Sequence, residues 1–256
     1  MRQLMAFIQK EFVEVVRNSK LLILGIIFLL LGIMNPAIAK ITPWLIEQFS
    51  NATSGAGMIV QTTEISALTS WEQFYKNMPM GMVIFVLMFS GIVAAELQKG
   101  TLINIVTKGM PRWKIMASKT ILLGVLWTVM YFASYIITFV YNDFYWDNSI
   151  AKHLLFSAFC LYLFGVWLIS LIMLMSAMSG SSATVSMGVC GVFVLVYILG
   201  IVPKLQDYLP TKLMECSKLA FGMGEPKEFV SAIVVVALWS VANVVIGITI
   251  FNKKNL

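Results

Sequence analysis

The sequence predicts an all-α integral membrane protein, and two observations support this fold class. Of the 256 residues, 59% are hydrophobic and 12% are charged, and the mean hydropathy is +0.88. A soluble domain carries about 25% charged residues, so this chain has too little charge to cover a water-facing surface of its size. Six apolar stretches are each long enough to cross a hydrocarbon core of about 30 Å, which takes about 20 helical residues. Lipid must therefore cover much of the outer surface of the folded protein.

The six predicted spans form one transmembrane domain over residues 21–256. They cover residues 21–41, 78–97, 115–141, 154–178, 185–202 and 229–251. Only residues 179–184 join the fourth span to the fifth, which makes these two helices antiparallel neighbours. The connections 42–77 and 203–228 hold amphipathic pieces, and the second also carries Pro203, Pro210 and Pro226. Both connections predict short extracellular or re-entrant helices.

Basic residues are unevenly distributed between the two predicted sides of the membrane. With the N-terminus inside, the inner segments hold eleven of the 18 basic residues and three of the 12 acidic ones, for a net charge of +8. The outer segments hold the other seven basic and nine acidic residues, for a net charge of −2. Because cytoplasmic loops are rich in lysine and arginine, both termini are expected in the cytoplasm. The chain itself is expected in the plasma membrane.

Residues 1–20 predict an amphipathic helix with one apolar and one charged face. The apolar face holds Leu4, Met5, Ile8, Phe12, Val15 and Val16, and the opposite face holds Arg2, Gln9, Lys10, Glu14 and Arg17. Such a helix lies in the headgroup plane of the bilayer, where its basic residues meet anionic lipid. The alternative is an ordinary extension of the first span.

The connection between the second and third spans holds the most informative motif. Glu96 ends the second span at the membrane boundary, where a carboxylate avoids the cost of the bilayer centre. Gly100 permits a sharp turn, and Thr101 is expected to cap a short helix by accepting a backbone hydrogen bond. This helix, residues 102–108, places apolar side chains on a cytoplasmic connection, which indicates contact with lipid or a partner. The third span is expected to be anchored to anionic headgroups by Arg112, Lys114 and Lys119.

These residues carry a family resemblance that covers essentially the whole chain. The second connection resembles that of the type-2 ABC exporter permeases, through the pattern Glu96-x3-Gly100-Thr101-Leu102 followed by Pro111-x2-Lys114 and Lys119. The N-terminal helix resembles the elbow helix of that family, and it ends in the pattern Phe12-x2-Val15-x-Arg17.

The resemblance implies a permease subunit that pairs with a second copy or a related permease and docks on separate ATPase subunits. Helix 102–108 would be the coupling helix that contacts the ATPase. The implied coupling residues are Glu96, Gly100, Thr101, Leu102, Ile103, Asn104, Ile105, Val106, Lys108 and Arg112. The implied elbow residues are Phe7, Ile8, Phe12, Val15 and Arg17. ATP and magnesium would bind to the partner, and no cofactor is expected on this chain.

The motifs of several enzyme classes are absent from the sequence. It has no G-x-x-x-x-G-K-[ST] phosphate loop, no H-E-x-x-H and no G-x-S-x-G. The three cysteines and the single histidine are too scattered for a metal site or a catalytic dyad. A transporter subunit without catalytic activity and without a nucleic-acid partner is therefore expected. The alternatives are a non-transporting membrane scaffold or immunity protein, and a membrane-embedded hydrolase.

The second span also carries candidate residues for the lining of a transport path. Met80, Met82, Phe85 and Met88 give it an adaptable apolar surface. Such a surface suits a hydrophobic or amphipathic peptide as cargo, ahead of a lipid-linked molecule or a drug and, last, small ions. These side chains could equally pack against lipid or another helix.

Overall fold

The computed structural model describes residues 2–52, 66–107 and 109–254, and the regular secondary structure of this part of the chain is helical. The helices, in chain order, are α1 (Arg2–Arg17), α2 (Lys20–Ala52), α3 (Ala67–Phe89), α4 (Gly91–Gln98), α5 (Thr101–Thr107), α6 (Arg112–Tyr145), α7 (Leu154–Met178), α8 (Ser182–Leu199), α9 (Pro203–Gln206), α10 (Ser217–Ala220) and α11 (Lys227–Lys253). Two short 3-10 helices cover Asn148–Ile150 and Pro210–Cys216.

The prediction of an all-helical fold with six transmembrane helices is confirmed. Six apolar helical segments are long enough to cross a membrane: most of α2, α3 together with α4, and each of α6, α7, α8 and α11. The short helices expected between the fifth and sixth spans are also present, as α9, Pro210–Cys216 and α10.

The first connection differs from its prediction, because the two flanking helices extend into it. Helix α2 continues through Pro36 and Pro43 to Ala52, and α3 already begins at Ala67. Trp71 and Phe74 of this extension are fully buried in the bundle. For the described part of residues 42–77, the prediction of separate short helices is therefore wrong, because these aromatic side chains pack at helical spacing against α6. Residues 53–65 lie outside the described part.

Helix α7 is the centre of the bundle. It packs most extensively against α11 and also contacts α3, α4, α6 and α8. Its Gly165 lies against the indole ring of Trp127, and a Cβ atom there would come within 2.2 Å of that ring. Helix α8, by contrast, is mostly exposed on the outside of the bundle.

A chain of neutral hydrogen bonds links α2, α3 and α6 in the bundle interior. Pro36 has no N–H group, so it leaves the carbonyl of Gly32, four residues earlier, without its helical donor. The hydroxyl of Thr138 donates to that carbonyl at 3.0 Å and accepts from the side-chain amide of Asn35 at 3.2 Å. Asn77 in turn donates to the side-chain oxygen of Asn35 at 2.9 Å. We call Gly32, Asn35, Asn77 and Thr138 the Asn35 chain.

Candidate functional site

Helix α5 projects from one end of the bundle, which we call the elbow end because α1 lies there too. Gly100 takes a left-handed conformation (φ +66°) between α4 and α5, and Gly109 does the same (φ +87°) beyond α5. Glycine adopts such angles without a steric penalty, so both turns can be sharp. The motif residues therefore place a separate short helix between the second and third spans.

Thr101 differs from its predicted role as the cap of α5. Its hydroxyl donates to the carbonyl oxygen of Glu96 at 3.3 Å, so Thr101 caps the end of α4 instead. The cause is the turn at Gly100, whose N–H bonds to the carbonyl of Leu97 and leaves the Glu96 carbonyl open. The carbonyls of the last helical turn commonly find such side-chain donors.

The apolar side chains of α5 divide between the bundle and the outside. Leu102 is fully buried, and Ile105 and Val106 are half-buried. Ile103 is 46% exposed, and Asn104 beside it is also exposed. The exposed large apolar side chain of α5 is thus that of Ile103, and its neighbour Leu102 packs into the bundle. Lys108 lies outside the described residues.

A cluster of charged residues joins three helices directly beside α5. Lys119 of α6 lies 2.6 Å from Glu11 of α1 and 2.8 Å from Glu96 of α4, and only 1% of its surface is exposed. Lys10 lies 2.9 Å from both Glu11 and Glu96, and 3.0 Å from Glu14. We call these five residues the elbow ion cluster.

The charges of the elbow ion cluster nearly balance, with three carboxylates against two ammonium groups. Burial disfavours the charged form of Lys10, but its bonds to Glu96, Glu11 and Glu14 outweigh that effect and raise the pKa of Lys10. The hydrogen bond from Lys10 lowers the pKa of Glu14. Oxygen atoms of the three carboxylates lie within 4.8 Å of one another, as a divalent cation would require. A metal ion would nevertheless have to displace two ammonium groups that already occupy the site.

Two parts of the elbow ion cluster were not anticipated from the sequence. The prediction that Lys119 reaches the headgroups is wrong, because the side chain is buried between two carboxylates. Glu11 is absent from the predicted site residues. The sequence signal for Glu11 is its position between Phe7 and Val15 at a spacing of four residues, which places all three on one face of α1.

The predicted elbow residues take different positions on α1. Phe7 and Val15 are buried on either side of Glu11, and the amino groups of Lys10 and Lys119 lie 5.2 and 5.8 Å from the ring centre of Phe7. Ile8 is half-buried, while Phe12 and Arg17 are exposed. Helix α1 therefore packs on the bundle through one face and presents an adjacent apolar face to the outside.

Arg112 binds the carboxyl end of α11. Its guanidinium group donates to the carbonyl oxygens of Asn252 and Lys254. The amino group of Lys254 donates to the carbonyl oxygens of Ala177 at 3.1 Å and Ser179 at 3.0 Å, at the end of α7. Instead of reaching headgroups as expected, Arg112 thus connects the start of α6 to the ends of α11 and, through Lys254, α7.

The four candidate path residues do not share one surface. Met80 and Met82 line an apolar cleft of about 280 Å³ between α3, α7 and α8, together with Val189 and other residues. Phe85 turns inward, with its ring centre 5.6 Å from that of Trp127. Met88 is half-buried and is not among the residues that line this cleft.

Comparison with known proteins agrees with this architecture. The chain is 23% identical over 238 residues to the uncharacterized transmembrane protein YxlG of Bacillus subtilis (strain 168), and the match covers 90% of this chain and 89% of YxlG. The family model described as "ABC-2 family transporter protein" matches residues 5–256, nearly the whole chain. The chain is therefore a multi-pass membrane protein that belongs to the ABC-2 family of transporter proteins, and membership of this family implies an ABC ATPase as its partner.

Proposed function

We propose that this chain is the permease subunit of an ATP-driven exporter. Two permeases form the transport path, and separate ATPase subunits bind to α5 and drive it. The preferred cargo is a hydrophobic or amphipathic peptide.

The observation that carries the proposal is the geometry of α5. A helix of seven residues, bounded by left-handed glycines, exposes Ile103 while Leu102 holds it to the bundle. A short helix that packs on the bundle and exposes an apolar side chain suits insertion into a groove of a partner protein. Ile103 and the edge of Val106 therefore form the proposed contact with the ATPase.

The sequence and the family membership support the proposed energy source. ATP and magnesium bind to the partner in this proposal, which agrees with the absence of a phosphate-binding loop motif from the sequence. In the proposed orientation, α5 and both termini lie in the cytoplasm with the ATPase, and the chain lies in the plasma membrane. The excess of basic residues in the corresponding segments supports this orientation.

The exposed surface of α8 supports pairing of two permeases. Helix α8 borders the cleft lined by Met80 and Met82. Its exposed apolar residues include Met187 and Leu195. A second copy against this side would close the clefts of both copies into one path between them. Methionine-rich apolar walls adapt to varied shapes, which suits a peptide better than a small ion.

Substitution of Ile103 tests the proposal. In vesicles that contain the permease and its ATPase, Ile103→Asp is expected to abolish peptide-stimulated ATP hydrolysis and uptake of a fluorescent amphipathic peptide. A carboxylate in an apolar groove loses its hydration without gaining a partner. Ile150→Asp places the same charge on an exposed isoleucine of the 3-10 helix Asn148–Ile150, outside the spans, and is expected to retain both activities.

Two results would contradict the proposal. If Ile103→Asp still bound the ATPase and transported the peptide, α5 would not be the coupling element. If the wild-type complex hydrolysed ATP without moving any peptide, the exporter role would fail, and a membrane scaffold or immunity protein would explain the chain better.

A further inference from the structure

The elbow helix α1 and the α4–α5 segment are separate elements that meet at the elbow ion cluster, where Lys10 of α1 donates to Glu96 at 2.9 Å and Lys119 is the buried lysine. Helix α1 packs mainly on α6 and α2. A cavity of about 640 Å³, lined by residues that include Val15, Ala95 and Ile105, opens between α1 and the α4–α5 segment. Apolar packing therefore leaves these two elements apart at this point, and the elbow ion cluster bridges them.

Lys119 is the central member of that bridge. It contributes one ammonium group from α6, and this group is shared by Glu11 of α1 and Glu96 of α4. The other bridging cation, Lys10, has a side chain that is 45% exposed. Solvent screens an exposed ion pair, whereas a buried one holds its partners in a fixed geometry.

Both carboxylates sit close to the elements that would have to move. Glu96 precedes α5 by less than two helical turns, and its carbonyl accepts the hydrogen bond from Thr101, the first residue of α5. Glu11 lies on α1, which is joined to α2 by only two residues. The second of these, Ser19, has a left-handed backbone (φ +55°), and its N–H bonds to the carbonyl of Val16, so the α1–α2 junction is a tight turn.

We propose that Lys119 is a positioning residue that makes the elbow helix and the coupling helix one mechanical unit. A displacement of α5 is then carried through Glu96, Lys119 and Glu11 to α1, and from α1 through the tight turn to the start of α2. The first span thus moves with the coupling helix, although the two do not adjoin in the chain. This inference rests on the proposed function for the meaning of the displacement, but the physical link can be tested separately.

The test measures the distance between spin labels at the exposed positions Val13 on α1 and Asn104 on α5, by double electron–electron resonance in lipid nanodiscs. The wild-type chain is expected to give one narrow distance. Lys119→Met keeps the length of the side chain without its charge, and the narrow distance is expected to be lost. Lys119→Arg supplies a cation again and is expected to restore it.

A double variant separates positioning from simple charge neutralisation. Lys119→Met together with Glu11→Gln removes one charge of each sign, so the cluster keeps its net charge and the melting temperature is expected to return to near that of wild type. The elbow is then linked to α4 by the screened Lys10 alone, so the narrow distance is expected to stay lost. A double variant with wild-type melting temperature and a narrow distance would show that Lys119 only neutralises its neighbours.

Lys114 provides a matched control on the same helix. Its amino group donates to the side chain of Gln3 of α1 at 2.8 Å, but this contact is exposed. Lys114→Met is expected to keep the narrow distance, and its loss there would overturn the special role of Lys119. None of these measurements involves ATP or cargo. Their outcome therefore does not depend on the exporter proposal, and the exporter proposal does not depend on their outcome.

Discussion

Two regions of this molecule bury polar side chains between three helices, and they do so with opposite chemistry. The elbow ion cluster joins α1, α4 and α6 through charged groups, and its outer members Lys10 and Glu14 remain about half exposed. The Asn35 chain joins α2, α3 and α6 through uncharged groups in the interior of the bundle. Charge is thus buried where part of the cluster still reaches the surface, whereas the interior of the spans uses neutral hydrogen bonds.

The difference indicates which contacts cost little stability when one partner is removed. Removal of one partner from a buried ion pair leaves an uncompensated charge in a medium of low dielectric constant. Removal of one neutral hydrogen bond within a membrane protein costs less, because the released group often finds another partner. The two regions should therefore respond to substitution with clearly different magnitudes.

The largest effect is expected from Lys119→Met. This substitution leaves the buried carboxylates of Glu11 and Glu96 with only the half-exposed Lys10 of the cluster as their cation, and it should lower the free energy of unfolding by about 3–5 kcal/mol. The measurement is unfolding in mixed micelles titrated with a denaturing detergent. Lys76→Met is the control, because Lys76 forms an exposed pair with Glu72 and the loss of this pair should cost at most about 0.5 kcal/mol. Equal effects of the two substitutions would remove the distinction between buried and exposed charge.

An intermediate effect is expected from Thr138→Val. The change leaves the Gly32 carbonyl and the Asn35 amide without a partner, so the loss should be about 1–2 kcal/mol in the same unfolding measurement. Thr120→Val on the same helix is the control, because the Thr120 hydroxyl donates to the carbonyl of Met116 within its own helix and so does not link two helices in the described part of the chain. If Thr138→Val cost as much as Lys119→Met, the ranking of charged over neutral contacts would be wrong.

The smallest effect is expected from a change of pH, because the elbow ion cluster contains carboxylates that titrate and the Asn35 chain contains none. The pKa of Glu14 is lowered in the folded protein, so its contribution to stability is complete above its unfolded pKa of about 4.5 and is lost as the pH falls through the folded value. Glu14→Gln should therefore flatten the fall in melting temperature below pH 4.5. Thr138→Val removes no titrating group, and its profile should run parallel to that of wild type. A parallel profile for Glu14→Gln instead would mean that the Lys10 contact adds nothing to stability.

The parts of the fold that depend on composition could be predicted from the sequence, and those that depend on pairing could not. Six long apolar stretches are sufficient to indicate six spans, and the glycines around α5 are sufficient to indicate a separate short helix. The extension of α3 back to Ala67 was missed because Glu72 and Lys76 give that stretch a polar appearance. Its buried face, which includes Trp71 and Phe74, becomes recognisable only once α6 is in place.

The candidate site shows the same limit at the level of single residues. Glu96 and Lys119 could be identified because each sits at the predicted end of a span. Their pairing could not, because it depends on Glu11, which is 108 residues from Lys119 and belongs to a helix that reads as purely interfacial. A charged residue on the packed face of an amphipathic helix indicates a buried partner, but only the folded chain identifies that partner.

The Asn35 chain also constrains the order of events during biosynthesis. Asn35 and Thr138 are separated by 103 residues. At a synthesis rate of about 5–20 residues per second, Thr138 is made about 5–20 s after Asn35. During that interval the first span enters the membrane with the carbonyl of Gly32 unbonded and the amide of Asn35 without its final partner. The first span can therefore reach its final packing only after the third span has been made. Insertion machinery that retains α2 until α6 emerges would shield these polar groups from lipid.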